Sequence, residues 1–140
     1  MNETRIYLPF RTKVLVQLFS SASYRQKGTF KLQNVQQPIV KEGSQSDNKE
    51  FARFDFDTGQ PAGAEKSFLV TVGIQYQPAP IIPWRDSRVM LSRPCSAAAF
   101  TAQFIASEDS GDGDWNDCLV MFSWNSPVAS EDEAGSEGAG

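Results

Sequence analysis

The chain contains no histidine and only two cysteines, Cys95 and Cys118. The first absence excludes every imidazole-dependent catalytic device and every Cys/His zinc site. The second excludes a disulfide framework, since one bridge at most could form, and the sequence leaves open whether these two residues pair. No apolar run approaches the roughly 18 residues needed to span a membrane. The start, Met1-Asn2-Glu3-Thr4-Arg5, lacks the basic and then apolar layout of a signal peptide, so the expectation is cytoplasmic synthesis without a signal, with release or cell-surface display as an open alternative. Basic residues are missing from one end: residues 107–140 hold 9 acids and no base, whereas 1–106 hold all 13 Lys and Arg against 8 acids. Without a basic patch interleaved with aromatics, nucleic acid is not an expected partner.

What remains is ample for a core. A chain of 140 residues, 40% hydrophobic and 11% aromatic, buries roughly two thirds of its unfolded surface. Phe68, Val70, Val72, Ile74 and Tyr76 alternate with Leu69, Thr71, Gly73 and Gln75, a period-two pattern that predicts a strand over 68–76. Segments 14–19, 29–35, 51–56, 88–91, 100–105 and 118–124 read the same way, separated by Gly, Pro, Asn, Asp and Ser clusters that favour turns. The connection 77–84 carries three prolines and cannot lie in a central strand. No segment sustains a helical period. The expected fold is all-β: a single antiparallel β-sandwich of Greek-key character over residues 4–127, followed by an acidic, disordered tail over 128–140.

One segment concentrates oxygen ligands. From Glu108 to Asp117 the chain places five carboxylates, Glu108, Asp109, Asp112, Asp114 and Asp117, beside the amide of Asn116. So many like charges repel unless a cation gathers them, and calcium accepts about six to eight oxygens in irregular geometry, where magnesium demands a tight octahedron. Gly111 and Gly113 allow the curl this requires. Asp112, Asp114 and Asn116 match the first, third and fifth positions of an EF-hand, but Asp117 replaces its turn glycine, Ser123 its bidentate glutamate, and the flanks read as strands; that design is excluded.

The run Ser107-Glu108-Asp109, Asp112, Asp114-Trp115-Asn116-Asp117, followed by an apolar strand ending at Trp124, resembles the loop of the calcium-mediated soluble bacterial lectins, which bind fucose and mannose through a pair of calcium ions. Tyr7-Leu8-Pro9 and the polar loop after Phe19 resemble the same family's N-terminal region. The resemblance implies a calcium-dependent carbohydrate-binding protein, not an enzyme. It implies one calcium held by Glu108, Asp112, Asp114 and Asp117, and a second held by Asp114, Asn116 and Asp117 with Ser21 at a position where the family supplies Asn. For sugar contact it implies Asp109, Asp112, Asp114, Asn116 and Asp117 from the acidic loop, with Ala22, Ser23 and Tyr24 tuning preference; Tyr24 would stack on a sugar edge or block it. The chain continues past Trp124 to Gly140, where the family ends three residues beyond this tryptophan and lends its terminal carboxylate to a neighbour's calcium site, so one calcium is the primary expectation and two the alternative. Homodimers or tetramers are expected by the same likeness. The competing reading is a calcium-stabilised structural or protein-interaction module without sugar binding.

Other short matches are weaker. Asp57-Thr58-Gly59 is the aspartic-protease tripeptide, but Gln60-Pro61 follow it and a tight turn after a strand reads better. Ser46-Asp47-Asn48-Lys49 overlays two β-lactamase elements that belong to separate segments, so it is expected to be a loop. Trp115 is expected to pack inward, Trp84 and Trp124 to lie in the core or an interface, and Cys118 to be a small buried hydrophobe.

Overall fold

The computed structural model describes residues 2–21, 24–108 and 117–126. Within them lie eleven strands: β1 (Glu3–Leu8), β2 (Lys13–Ser20), β3 (Arg25–Leu32), β4 (Ile39–Gly43), β5 (Lys49–Asp57), β6 (Phe68–Gln77), β7 (Arg85–Asp86), β8 (Arg88–Leu91), β9 (Cys95–Ala97), β10 (Phe100–Glu108) and β11 (Cys118–Asn125). They form two antiparallel sheets. One has the order β1-β6-β3-β4 with β7 against β6; the other has the order β5-β2-β11-β10-β8 with β9 against β10.

Period-two patterning decides which faces meet. Val14, Val16 and Leu18 of β2, Cys118, Val120 and Phe122 of β11 and Ile105 of β10 are fully buried. They face Ile6, Phe30, Val70, Val72 and Ile74 of the other sheet within one hydrophobic core. Phe30 sits at its centre, edge-on to Phe54 with ring centroids 5.0 Å apart and to Phe122 at 6.1 Å, the geometry that aromatic quadrupoles favour. The sheets approach closely at Gly28, where an added Cβ would stand 2.8 Å from Leu18, and at Gly43, where it would stand 2.6 Å from Phe51.

The sandwich expectation holds, and strand 88–91 has the predicted bounds. The differences are four short or edge strands and the bounds of β3. β1, β4, β7 and β9 were not expected; all but β1 bury no side chain, and β1 buries only Ile6 and Leu8. Strand β3 begins at Arg25 instead of residue 29, because its inward positions there are Gln26 and Gly28, which carry no apolar signal, and it ends at Leu32, where a turn closes with the Val35 amide donating to the Leu32 carbonyl at 3.1 Å.

The protease-like tripeptide is a clip. Thr58 is buried; its hydroxyl donates to the Pro9 carbonyl (2.8 Å) and accepts from the Thr12 amide (3.0 Å), tying the end of β5 to the corner between β1 and β2. Gly59, with φ of 67°, donates its amide to Asp57 Oδ1 at 2.8 Å. Asp47 and Asn48 both take positive φ, and this segment is the turn leading into β5. Trp124 is in the core, and Trp84 is half-buried with Lys27 Nζ 4.3 Å from its ring centroid. Cys118 is buried and Cys95 exposed, and no disulfide joins them.

Candidate functional site

Three strand ends converge at one end of the sandwich. Ser20, the last residue of β2, pairs with Cys118 at the start of β11, and Cys118 pairs with Ser107 near the end of β10. Ser21 and Asp117, immediately beyond, are joined by the Ser21 amide donating to the Asp117 carbonyl at 3.4 Å. Glu108 closes β10 opposite Arg88 of β8. Three predicted ligands, Ser21, Glu108 and Asp117, therefore leave neighbouring strands at the same end.

Their burial is informative. Glu108 is 2% exposed and Asp117 7%. Taking two carboxylates out of water at adjacent strand ends is costly unless cations or hydrogen-bond donors compensate. A donor set of buried carboxylates with a neighbouring hydroxyl is hard-oxygen chemistry, which fits calcium and does not fit a soft thiolate-seeking metal. Among the described residues no group of three or more His, Cys, Asp and Glu gathers. Asp109, Asp112, Asp114, Asn116 and Trp115, with Ala22 and Ser23, lie outside the described residues, as do residue 127 and the segment 128–140.

The neck of the acidic segment is closed by Ser107, the first residue of the family-like run, in a role that the sequence did not disclose. Ser107 is buried; its hydroxyl donates to the Cys118 carbonyl at 2.8 Å and accepts from the Cys118 amide at 3.1 Å. The Asp117 amide also donates to the Ser107 carbonyl at 3.2 Å. The available signal was a serine next to an acid cluster and eleven residues before an apolar strand, which is weak on its own. Cys118 serves as the thin, apolar partner that lets this clasp form in the core.

Tyr24 packs at the start of β3. Its ring stacks on Tyr76 of β6, with centroids 5.7 Å apart and planes 16° apart, and its carbonyl accepts from Gln26 Nε2 at 3.3 Å. A second feature lies at the opposite end of the sheet: a pocket of about 370 Å³ lined by Lys13, Leu15, Asp55, Phe100, Ser123, Trp124 and Asn125. It holds none of the predicted ligands.

Residues 6–126 match the family described as fucose-binding lectin II (PA-IIL). No curated protein sequence matches significantly. Among solved structures, the chain is similar to a Chromobacterium violaceum lectin, CV2L, in complex with α-methyl-fucoside (TM-score 0.70, 20% identity, 91% of this chain and 100% of that one). It is also similar to a high-affinity mannose-binding lectin of Ralstonia solanacearum (0.68, 20%, 88% and 96%) and to the C-terminal domain of the BC2L-C lectin of Burkholderia cenocepacia (0.68, 20%, 90% and 98%). At this identity the structural likeness establishes the fold.

Proposed function

Since the chain belongs to the fucose-binding lectin II family, and is thus a carbohydrate-binding protein and not an enzyme, we propose that it takes fucose or mannose residues through calcium held by the 108–117 segment. The observation that carries this reading is the convergence of buried Glu108 and Asp117 with Ser21 at three adjoining strand ends. In the proposed site Glu108, Asp112, Asp114 and Asp117 hold one calcium. Asp114, Asn116, Asp117 and Ser21 hold a second where it is present. Asp109 accepts a hydrogen bond from the sugar, and residues 22–24 shape its preference.

The chemistry follows from the ion. Calcium supplies a hard, positively charged centre whose water can be exchanged for vicinal sugar hydroxyls. The chain's part is to fix the carboxylates before the sugar arrives: Glu108 and Asp117 are held by the ends of β10 and β11, and the Ser107 clasp sets the distance between those ends. Nothing in this arrangement requires a nucleophile or a general base.

The α-methyl-fucoside of the Chromobacterium lectin and the mannose named for the Ralstonia lectin set the first probes. Titration calorimetry of the calcium-loaded protein with methyl fucoside and methyl mannoside should give binding that disappears with a chelator. Asp114→Asn should abolish both calcium and sugar binding. Full sugar affinity in that variant, or calcium that raises stability while neither sugar binds, overturns the proposal.

Self-association is part of the same reading. The outer face of the β5-β2-β11-β10-β8 sheet carries an apolar strip, bordered on β5 by Glu50, Arg53, Asp55 and Asp57: Phe19 pairs with Leu119 and Met121 with Phe104, while Phe100 and Met90 are about half exposed at 48% and 49%. Contiguous apolar surface of this kind marks an interaction site. A homodimer through this face is proposed, with the tetramer as its extension.

A further inference from the structure

We infer that Tyr24 and Tyr76 form a second sugar subsite, taking the ring linked to the calcium-bound residue of a disaccharide; this rests on the calcium-lectin reading above. Strand β6 points Val70, Val72 and Ile74 into the core, all fully buried, and then at Tyr76 the same inner row becomes half-buried and phenolic. Opposite it, Gln26 of β3 pairs with Tyr76 in register, and Gln26 is fully buried. The Gln26 side-chain amide donates to the Tyr24 carbonyl at 3.3 Å, and the Tyr24 ring lies nearly parallel to that of Tyr76. Two rings are thus fixed side by side at the rim instead of within the core.

Position makes the pair relevant to a ligand. Ser21 donates its amide to Asp117, and Tyr24 follows three residues later, so its Cα lies within about 11 Å of that of Ser21. This is the reach of the second ring of a disaccharide from a first ring on the calcium. Ring faces offer the flat apolar surface that the C–H face of a pyranose needs, and phenol hydroxyls both donate and accept. Pre-fixed rings also lose little rotamer entropy on binding.

The test compares, by calorimetry with calcium present, the methyl glycoside that binds and a disaccharide bearing the same sugar at its non-reducing end, fucosyl-α1,2-galactose or mannobiose. The disaccharide should bind about 3- to 10-fold more tightly, the scale of one aromatic stacking contact. Tyr76→Leu, which keeps an apolar residue at the rim, should bring that ratio to about one, and Tyr76→Phe should keep it. Equal affinities in the unaltered protein, or a ratio preserved in Tyr76→Leu, overturn the subsite while leaving the calcium reading intact. Failure of both sugars to bind overturns the two together.

Discussion

Single side chains at the rim do separable jobs. Ser107 satisfies both backbone groups of Cys118 from within the core, so Ser107→Ala leaves buried polar groups short of a partner. A loss of about 1–3 kcal/mol is expected, read as a lower denaturant midpoint, together with weaker calcium affinity because the two strand ends are no longer clasped. Glu50 lies two strands from Cys118, on β5 opposite Phe19. The Arg53 guanidinium donates to it at 2.8 Å and holds its carboxyl below the ordinary value against the opposing effect of partial burial, with Gln17 assisting. A carboxyl lowered in the folded state stabilises the fold above its unfolded value and loses that contribution as pH falls through the folded one. Because the pair is exposed, the effect is small; Glu50→Gln should lower stability slightly at neutral pH and flatten the acid limb below about pH 4.5, where the parent has already lost the contribution of the pair.

Strands explain both what the sequence discloses and what it hides. β2, β6 and β11 are legible because aliphatic and aromatic residues alternate where one face is dry. β4, β7 and β9 are not, because an edge strand is held by its backbone ladder and its side chains stay wet. Arg85-Asp86 has no pattern to read, yet it pairs with Gln75 and Tyr76. The acidic segment stands out for another reason: five carboxylates in ten residues need an account whatever the fold, and of its predicted ligands the described residues bring Glu108 and Asp117 to one end of the sheet. The clasp at Ser107 and the Tyr24–Tyr76 stack were not legible, since each depends on a partner brought close only by sheet register. Packing at the element level gives two further predictions. Phe30→Ala should cost about 3–5 kcal/mol through the cavity left among Phe54 and Phe122. Gly28→Val should cost about 1–3 kcal/mol by forcing Leu18 away, with both read from urea unfolding.

For the molecule as a whole, the proposed calcium sites and the proposed dimer would together set the working state. An ion that binds only the folded chain stabilises it by mass action, about 2.7 kcal/mol at a hundredfold excess over Kd, so chelation should lower Tm and calcium titration should restore it. On the proposed dimer face, Met121→Lys should convert the dimer to monomers in sedimentation velocity without lowering the sugar affinity of each subunit; several sites on one assembly raise avidity for clustered glycans, so agglutination should fall instead. The two ends of the sandwich are also unequally committed. The Thr58 clip holds strand register at the end of the sandwich remote from the proposed site, and the Ser107 clasp holds it at the neck of the acidic segment. With the proposed calcium ligands kept, residues 22–24 can therefore be exchanged like cartridges in a fixed holder, which makes this scaffold a ready host for grafted sugar preferences selected from a library.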